Sequence, residues 1–140
     1  MKYAIIPASL VLAACQSGEG APGTQPTQAF DAIAPGETIY LTGTEPFWAG
    51  EISGDTARYS TPENQQGTAF DVTRFAGNNG LAITGRMDGL PFDLTVTPGR
   101  CSDGMSDRSY PYTATLLIGD EQREGCAWTD MQGFDGPASQ

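Results

Sequence analysis

The sequence predicts an all-β domain, a small antiparallel meander barrel or sandwich of about eight short strands. Three observations predict it. From Thr38 onward, apolar and polar residues alternate with a period of two, which marks half-buried strands. Turn-forming Gly, Asn and Asp residues punctuate that pattern at short intervals. No stretch carries the three-to-four-residue apolar spacing of an amphipathic helix.

Each element follows from its own residues. Ile39-Tyr40-Leu41 reads as a first strand, and Phe47 to Ile52 as a second. Ser53-Gly54-Asp55 turns the chain into a third, Ala57 to Ser60. Thr68 to Phe75 places Phe70 and Val72 on one face. Asn78-Asn79-Gly80 signals a hairpin, since these residues tolerate positive φ. Leu81 to Thr84 continues, with Leu81 and Ile83 inward, and Asp88-Gly89 signals the next hairpin. Phe92 to Thr97 alternates strictly, directing Phe92, Leu94 and Val96 to the core. Tyr112 to Ile118 and Gln122 to Trp128 flank a turn at Gly119-Asp120. Consecutive hairpins favour an up-and-down meander. An eight-stranded barrel of this size is expected to fill with side chains.

The start of the chain has a different composition. Lys2 precedes a short apolar run, Ala4 to Ala14, which ends in Leu12-Ala13-Ala14-Cys15. The run is shorter than the roughly 20 residues a spanning helix needs, and Pro7 interrupts it. Small residues at Ala13 and Ala14 suit a signal peptidase. These residues resemble the signal peptide and lipobox of bacterial lipoproteins. The resemblance implies removal of residues 1–14 and acylation of Cys15, with several chains giving stable attachment. Gln16 is not the aspartate linked to inner-membrane retention. The implied location is therefore the outer membrane, with the protein lipid-anchored and facing the periplasm. Residues 15–36 are rich in Gly, Pro, Thr, Gln, Ala and Ser and read as a tether, with Phe30 and Ile33 docking where it ends. The β domain is expected over residues 37–130 and a fraying tail over 131–140.

With Cys15 taken by lipid, Cys101 and Cys126 remain. An even pair in an oxidising compartment predicts a disulfide that staples the domain. Closing a loop of that length contributes about 3–4 kcal/mol.

Lys2 is the only lysine. Beyond the signal, Arg58, Arg74, Arg86, Arg100, Arg108 and Arg123 face 17 acidic residues. Such a surface repels phosphate backbones, so nucleic acid is not an expected partner. It also repels anionic lipid, which leaves membrane attachment to the acyl chains. The chain has no histidine, so histidine-dependent nucleophilic devices are excluded. No paired carboxylates stand out for general acid-base work, and no enzymatic activity or cofactor is expected.

Two segments concentrate unusual residues. One is Gly43-Thr44-Glu45-Pro46-Phe47-Trp48. The other runs from Cys101-Ser102-Asp103-Gly104-Met105-Ser106 through Asp107-Arg108-Ser109-Tyr110-Pro111 and is answered by Gly125-Cys126-Ala127. These segments resemble a family of uncharacterised proteobacterial envelope lipoproteins and predicted membrane proteins. That family shares G-x-E-P-F-W early and C-x-D-G-M-S-D-x-x-Y-P late, closed by G-C-A. Its module sometimes stands beside META/HslJ-type or lysozyme-inhibitor-type domains. The resemblance spans Thr38 to Trp128 and implies no catalytic residues.

In the late segment, Asp103 is expected to close a turn on backbone amides, and Asp107 to do so one turn later. Arg108 is expected to pair with one of these carboxylates. Tyr110-Pro111 then returns the chain to an extended path. The loop reads either as a self-satisfied structural element or as a rigid recognition loop of Asp103 to Arg108 with Tyr110 and Pro111. Its glycine falls too early for a calcium loop of the EF-hand type, and no metal site is expected. Glu45 is a candidate turn cap or arginine partner. Trp48 and Trp128 are expected in the core.

The expected function is a non-enzymatic binding or envelope-maintenance module with an envelope protein as partner. The alternatives are a small-ligand carrier within the barrel and an inhibitor of an envelope-attacking enzyme such as lysozyme. Ser53-Gly54 followed by Tyr59 resembles the pattern of lysozyme-inhibitor lipoproteins.

Overall fold

The structure, a computed structural model, describes residues 28–137. Cys15, the signal segment and residues 15–27 of the expected tether lie outside the described residues.

Eight antiparallel strands close into a barrel in simple sequence order. They are β1 (Ile39–Gly43), β2 (Ala49–Ser53), β3 (Thr56–Thr61), β4 (Asn64–Ala76), β5 (Leu81–Met87), β6 (Leu90–Cys101), β7 (Tyr110–Ile118) and β8 (Glu121–Thr129). The pairing of β1 with β8, from Ile39↔Thr129 to Gly43↔Gly125, closes the ring and decides for a barrel over a sandwich. The Cys101–Cys126 disulfide is formed.

Alternation produces the core, because every second residue of a strand faces inward. Ile39 and Leu41, Ile52, Ala57 and Tyr59, Val72, Leu81 and Ile83, and Phe92, Leu94 and Val96 are all buried. Tyr112, Ala114 and Leu116, with Ala127, complete the set. All eight strands contribute, and side chains fill the interior as expected for this strand number. Phe70 packs edge-on against Phe92 at 4.8 Å between ring centres.

The connections follow their turn residues. Asp88 and Gly89 both adopt positive φ (51° and 81°), which matches the right-handed strand twist. Asn78-Asn79-Gly80 does join β4 to β5, but not through positive φ; the Gly77 amide donates to the Gly80 carbonyl instead (2.9 Å). Gly80 is required for a different reason. A Cβ there would meet the Val96 carbonyl oxygen at 2.4 Å.

Phe30 and Ile33 dock where the tether ends, as expected, and one boundary, that of the tail, differs from the sequence reading. Residues 28–36 include a strap across the barrel end where β1 begins. Ile33 is buried, the Phe30 amide donates to the Gly77 carbonyl (2.7 Å), and Arg74 Nη1 donates to the Pro35 carbonyl (2.9 Å). Behind the strap, Glu37 accepts from Thr129 Oγ1 (2.7 Å), Gln132 Nε2 (3.1 Å) and the Ala34 amide (2.5 Å). Burial pushes the Glu37 pKa up, but these three bonds and the Arg74 charge together bring it below the usual value.

The segment 131–137 also packs rather than fraying. Asp135 pairs with Ser109, and Phe134 covers Tyr110 and Trp128. Trp128 is correspondingly not a core residue. Alternation sends Ala127 and Thr129 inward, so Trp128 lies on the outer wall, stacked on Tyr40 at 5.5 Å and against Tyr110 at 5.2 Å.

Candidate functional site

The early segment is built around one indole. Phe47 and Trp48, expected inside a strand, lie in the connection before β2. The Gly43 amide donates to the Trp48 carbonyl (2.7 Å), closing this connection into a compact loop. Trp48 folds back into the barrel mouth, where it is 4 % exposed and stacks on Tyr59 at 6.0 Å. Its Nε1 donates to the Glu124 carbonyl (3.2 Å).

Gly43 makes this possible, since a Cβ there would lie 2.1 Å from the indole. Its cross-strand neighbour Gly125 is as constrained, for a Cβ would stand 2.3 Å from the Thr42 carbonyl oxygen. The first glycine of the early segment and the Gly-Cys-Ala of the late one are thus a single packing unit. With Trp48 turned inward, its neighbour Phe47 is left 49 % exposed. The Glu45–Pro46 peptide bond is cis.

The late segment is built around one carboxylate. Asp103 is buried. Its Oδ1 accepts from the amides of Met105 (3.0 Å) and Ser106 (2.8 Å). Its Oδ2 accepts from Ser106 Oγ (2.7 Å) and the Tyr110 hydroxyl (3.2 Å). The Ser106 amide does most to lower its pKa; burial opposes, but the other three donors bring it down to about 2. Asp103 is therefore ionised at neutral pH and saturated by the loop's own donors. A carboxylate held there is a poor proton acceptor near neutrality.

Two expectations for this loop are corrected. Ser106 Oγ, not Asp107, accepts the Arg108 amide (3.3 Å). Arg108 pairs with neither carboxylate. Its guanidinium lies 4.3 Å from the centre of the Phe134 ring, and its Nε donates to the Pro137 carbonyl (2.9 Å). Tyr110 opens β7 with Pro111 behind it, as the sequence implies. The disulfide fastens the loop to β8, and Gly104 (φ 74°) supplies its one left-handed position.

The two segments meet. Met105, 63 % exposed, lines an open groove of about 330 Å³ with Phe47 and Trp48. Thr42, Ala49, Ser60 and Pro62 form much of its floor and far wall. Of the residues singled out from the sequence, the groove gathers Phe47, Trp48 and Met105. Asp103, Gly104 and Ser106 belong to the turn that carries Met105, while Tyr110 and Pro111 line a separate pocket with Gly133 and Asp135, and Arg108 contacts Phe134 and Pro137. Glu45 and Pro46 border an adjoining groove of about 450 Å³, which shares Phe47 and Pro62 with the first. Glu45 is exposed and takes no arginine, since the only ion pair among the described residues is Arg123–Glu121 (2.8 Å).

Sequence reading missed Pro62, Glu63 and Gln65. Thr61-Pro62-Glu63-Asn64 carried the usable signal, because proline after a hydroxyl residue favours a type I turn. Among the described residues, no three His, Cys, Asp or Glu side chains are placed to hold a metal ion. Comparison with family models, with curated proteins and with solved structures finds no match for this chain.

Proposed function

We propose that this chain is a non-enzymatic binding module of the bacterial envelope, anchored to the outer membrane through acylated Cys15 and facing the periplasm. Its recognition surface is the groove between Phe47 and Met105, and its partner is an envelope protein. One observation carries this reading. The two unusual segments, about 60 residues apart in sequence, present their exposed apolar side chains to the same groove. Both side chains stand on rigid supports, the inserted Trp48 and the saturated Asp103. Apolar anchors held in place before binding lose little freedom on association.

The lipobox residues Leu12 to Cys15 support the anchor. No helix among the described residues is long and apolar enough to cross a membrane. The filled interior weighs against a carrier of small ligands. The excess of acidic residues favours, as a second reading, inhibition of a basic envelope-attacking enzyme such as lysozyme.

The test places a photo-crosslinking residue at position 47 or 105 of the lipidated protein in its own envelope, with positions 75 and 117 as exposed controls. Phe75 and Leu117 lie outside both grooves. Discrete adducts from 47 and 105 but not from the controls are expected. Equal adducts from all four positions, or none, would refute the groove. Labelled palmitate should enter the parent protein but not Cys15→Ala. Incorporation without Cys15 would refute the anchor.

A further inference from the structure

The groove between Phe47 and Met105 does not end at Phe47. Phe47 and Pro62 form a shared wall, and beyond it the trough continues between Glu45 and Glu63. One half presents Phe47, Trp48 and Met105 beside the uncharged Thr42, Ser60, Thr61 and Gln65, and the other carries two carboxylates. Both glutamates are exposed, and neither has a cationic partner among the described residues. Arg58 lines neither half; it stands beside Glu51 in a separate pocket that shares Ala49 and Ser60 with the Met105 half, and donates from Nη1 to the Gln66 carbonyl (2.9 Å). The trough thus has a direction: an apolar seat of one or two side chains, then an anionic seat with an aromatic ring between them.

We propose that the occupant is a polypeptide segment with a large apolar side chain followed directly by arginine or lysine. This rests on the groove being the recognition surface. The apolar side chain fills the space between Met105, Trp48 and Phe47. The following cation lies between Glu45 and Glu63, against the face of Phe47. A ring and two carboxylates on one cation act in the same direction. The volume of the Met105 half, about 330 Å³, is at the small end for a binding pocket, which suits an anchor side chain rather than a whole organic ligand. The chain's acidic excess attracts such a segment from a distance, while the trough selects the order of its residues.

The full-length lipidated protein in detergent is titrated into three fluorescein-labelled peptides, and anisotropy is read. The peptides are Gly-Ser-Phe-Arg-Lys-Ser, a version with both cations replaced by glutamine, and one with both replaced by glutamate. The cationic peptide should bind about threefold to tenfold more tightly than the glutamine version, the gain of two exposed charge contacts. That preference should vanish at about 0.5 M salt. Glu45→Gln combined with Glu63→Gln should also abolish it while leaving the glutamine peptide's affinity unchanged. Phe47→Ala and Met105→Ala should weaken both peptides, and unchanged melting curves would establish that these exposed variants fold. If the cationic and glutamine peptides bind alike and Phe47→Ala weakens both, the charge-reading segment is overturned and the groove stands. If no peptide binds at millimolar concentration, or if Phe47→Ala and Met105→Ala alter neither peptide, both readings fall.

Discussion

Two residues decide the geometry of the site, Gly43 in the groove lining and Asp103 beneath the Met105 loop. Gly43 leaves room for the Trp48 indole, and Asp103 collects the donors of the 103–110 loop. Replacing Gly43 with alanine puts a methyl group where the indole lies. We expect it to destabilise the fold by about 1–3 kcal/mol, the usual cost of overpacking. Thermal melting and a red-shifted tryptophan emission from an expelled indole would measure it. An unchanged melting temperature would mean that the indole is not seated against Gly43.

The Asp103 carboxyl gives a pH dependence with a definite sign. Its folded pKa of about 2 lies below the ordinary value near 3.9. Its contribution to stability is therefore complete above about pH 4 and is lost as the pH falls toward 2. Glu37, also lowered, acts in the same direction. Melting curves at pH 5, 3 and 2 should fall steadily for the parent and less for Asp103→Asn. A parent as stable at pH 2 as at pH 5 would contradict this.

At the scale of elements, the Cys101–Cys126 disulfide joins positions 25 residues apart. Replacing both cysteines with alanine should cost about 3–4 kcal/mol in chemical denaturation, because the unfolded chain regains the closed loop's freedom. A loss below about 1 kcal/mol would show that the loop is held by Asp103 and Phe134 instead. The strands themselves were legible because each one alternates. Phe92, Leu94 and Val96 are buried as their spacing predicts.

What escaped the sequence are places where tertiary contacts override local pattern. Phe47 and Trp48 look like strand residues, yet the barrel mouth pulls the indole out of register. Residues 131–137 read as a fraying tail, yet Phe134 packs them down, whereas the docking of Phe30 and Ile33 at the end of the tether was legible. The groove was half legible. Phe47, Trp48 and Met105 were singled out with their motifs, but no local signal tells that the first two meet the third across the outer wall.

At the scale of the whole molecule, closure depends on contacts between the two ends of the chain. Ile39 pairs with Thr129, and Thr129 Oγ1 reaches Glu37, 92 residues away. Chains dominated by such contacts fold slowly, because a large loop must close before they form. Refolding followed by tryptophan emission should take milliseconds to seconds. A submillisecond phase with full amplitude would indicate that closure is not the limiting event.

The same pairing puts the entry and exit of the chain at one end of the barrel, with the trough toward the other. Any pull along the leading chain first meets the Phe30–Gly77 and Arg74–Pro35 hydrogen bonds. The strap is thus a strain relief, like the clamp on a cable. It stands between such a pull and the β1–β8 seam, on the end of the barrel away from the trough.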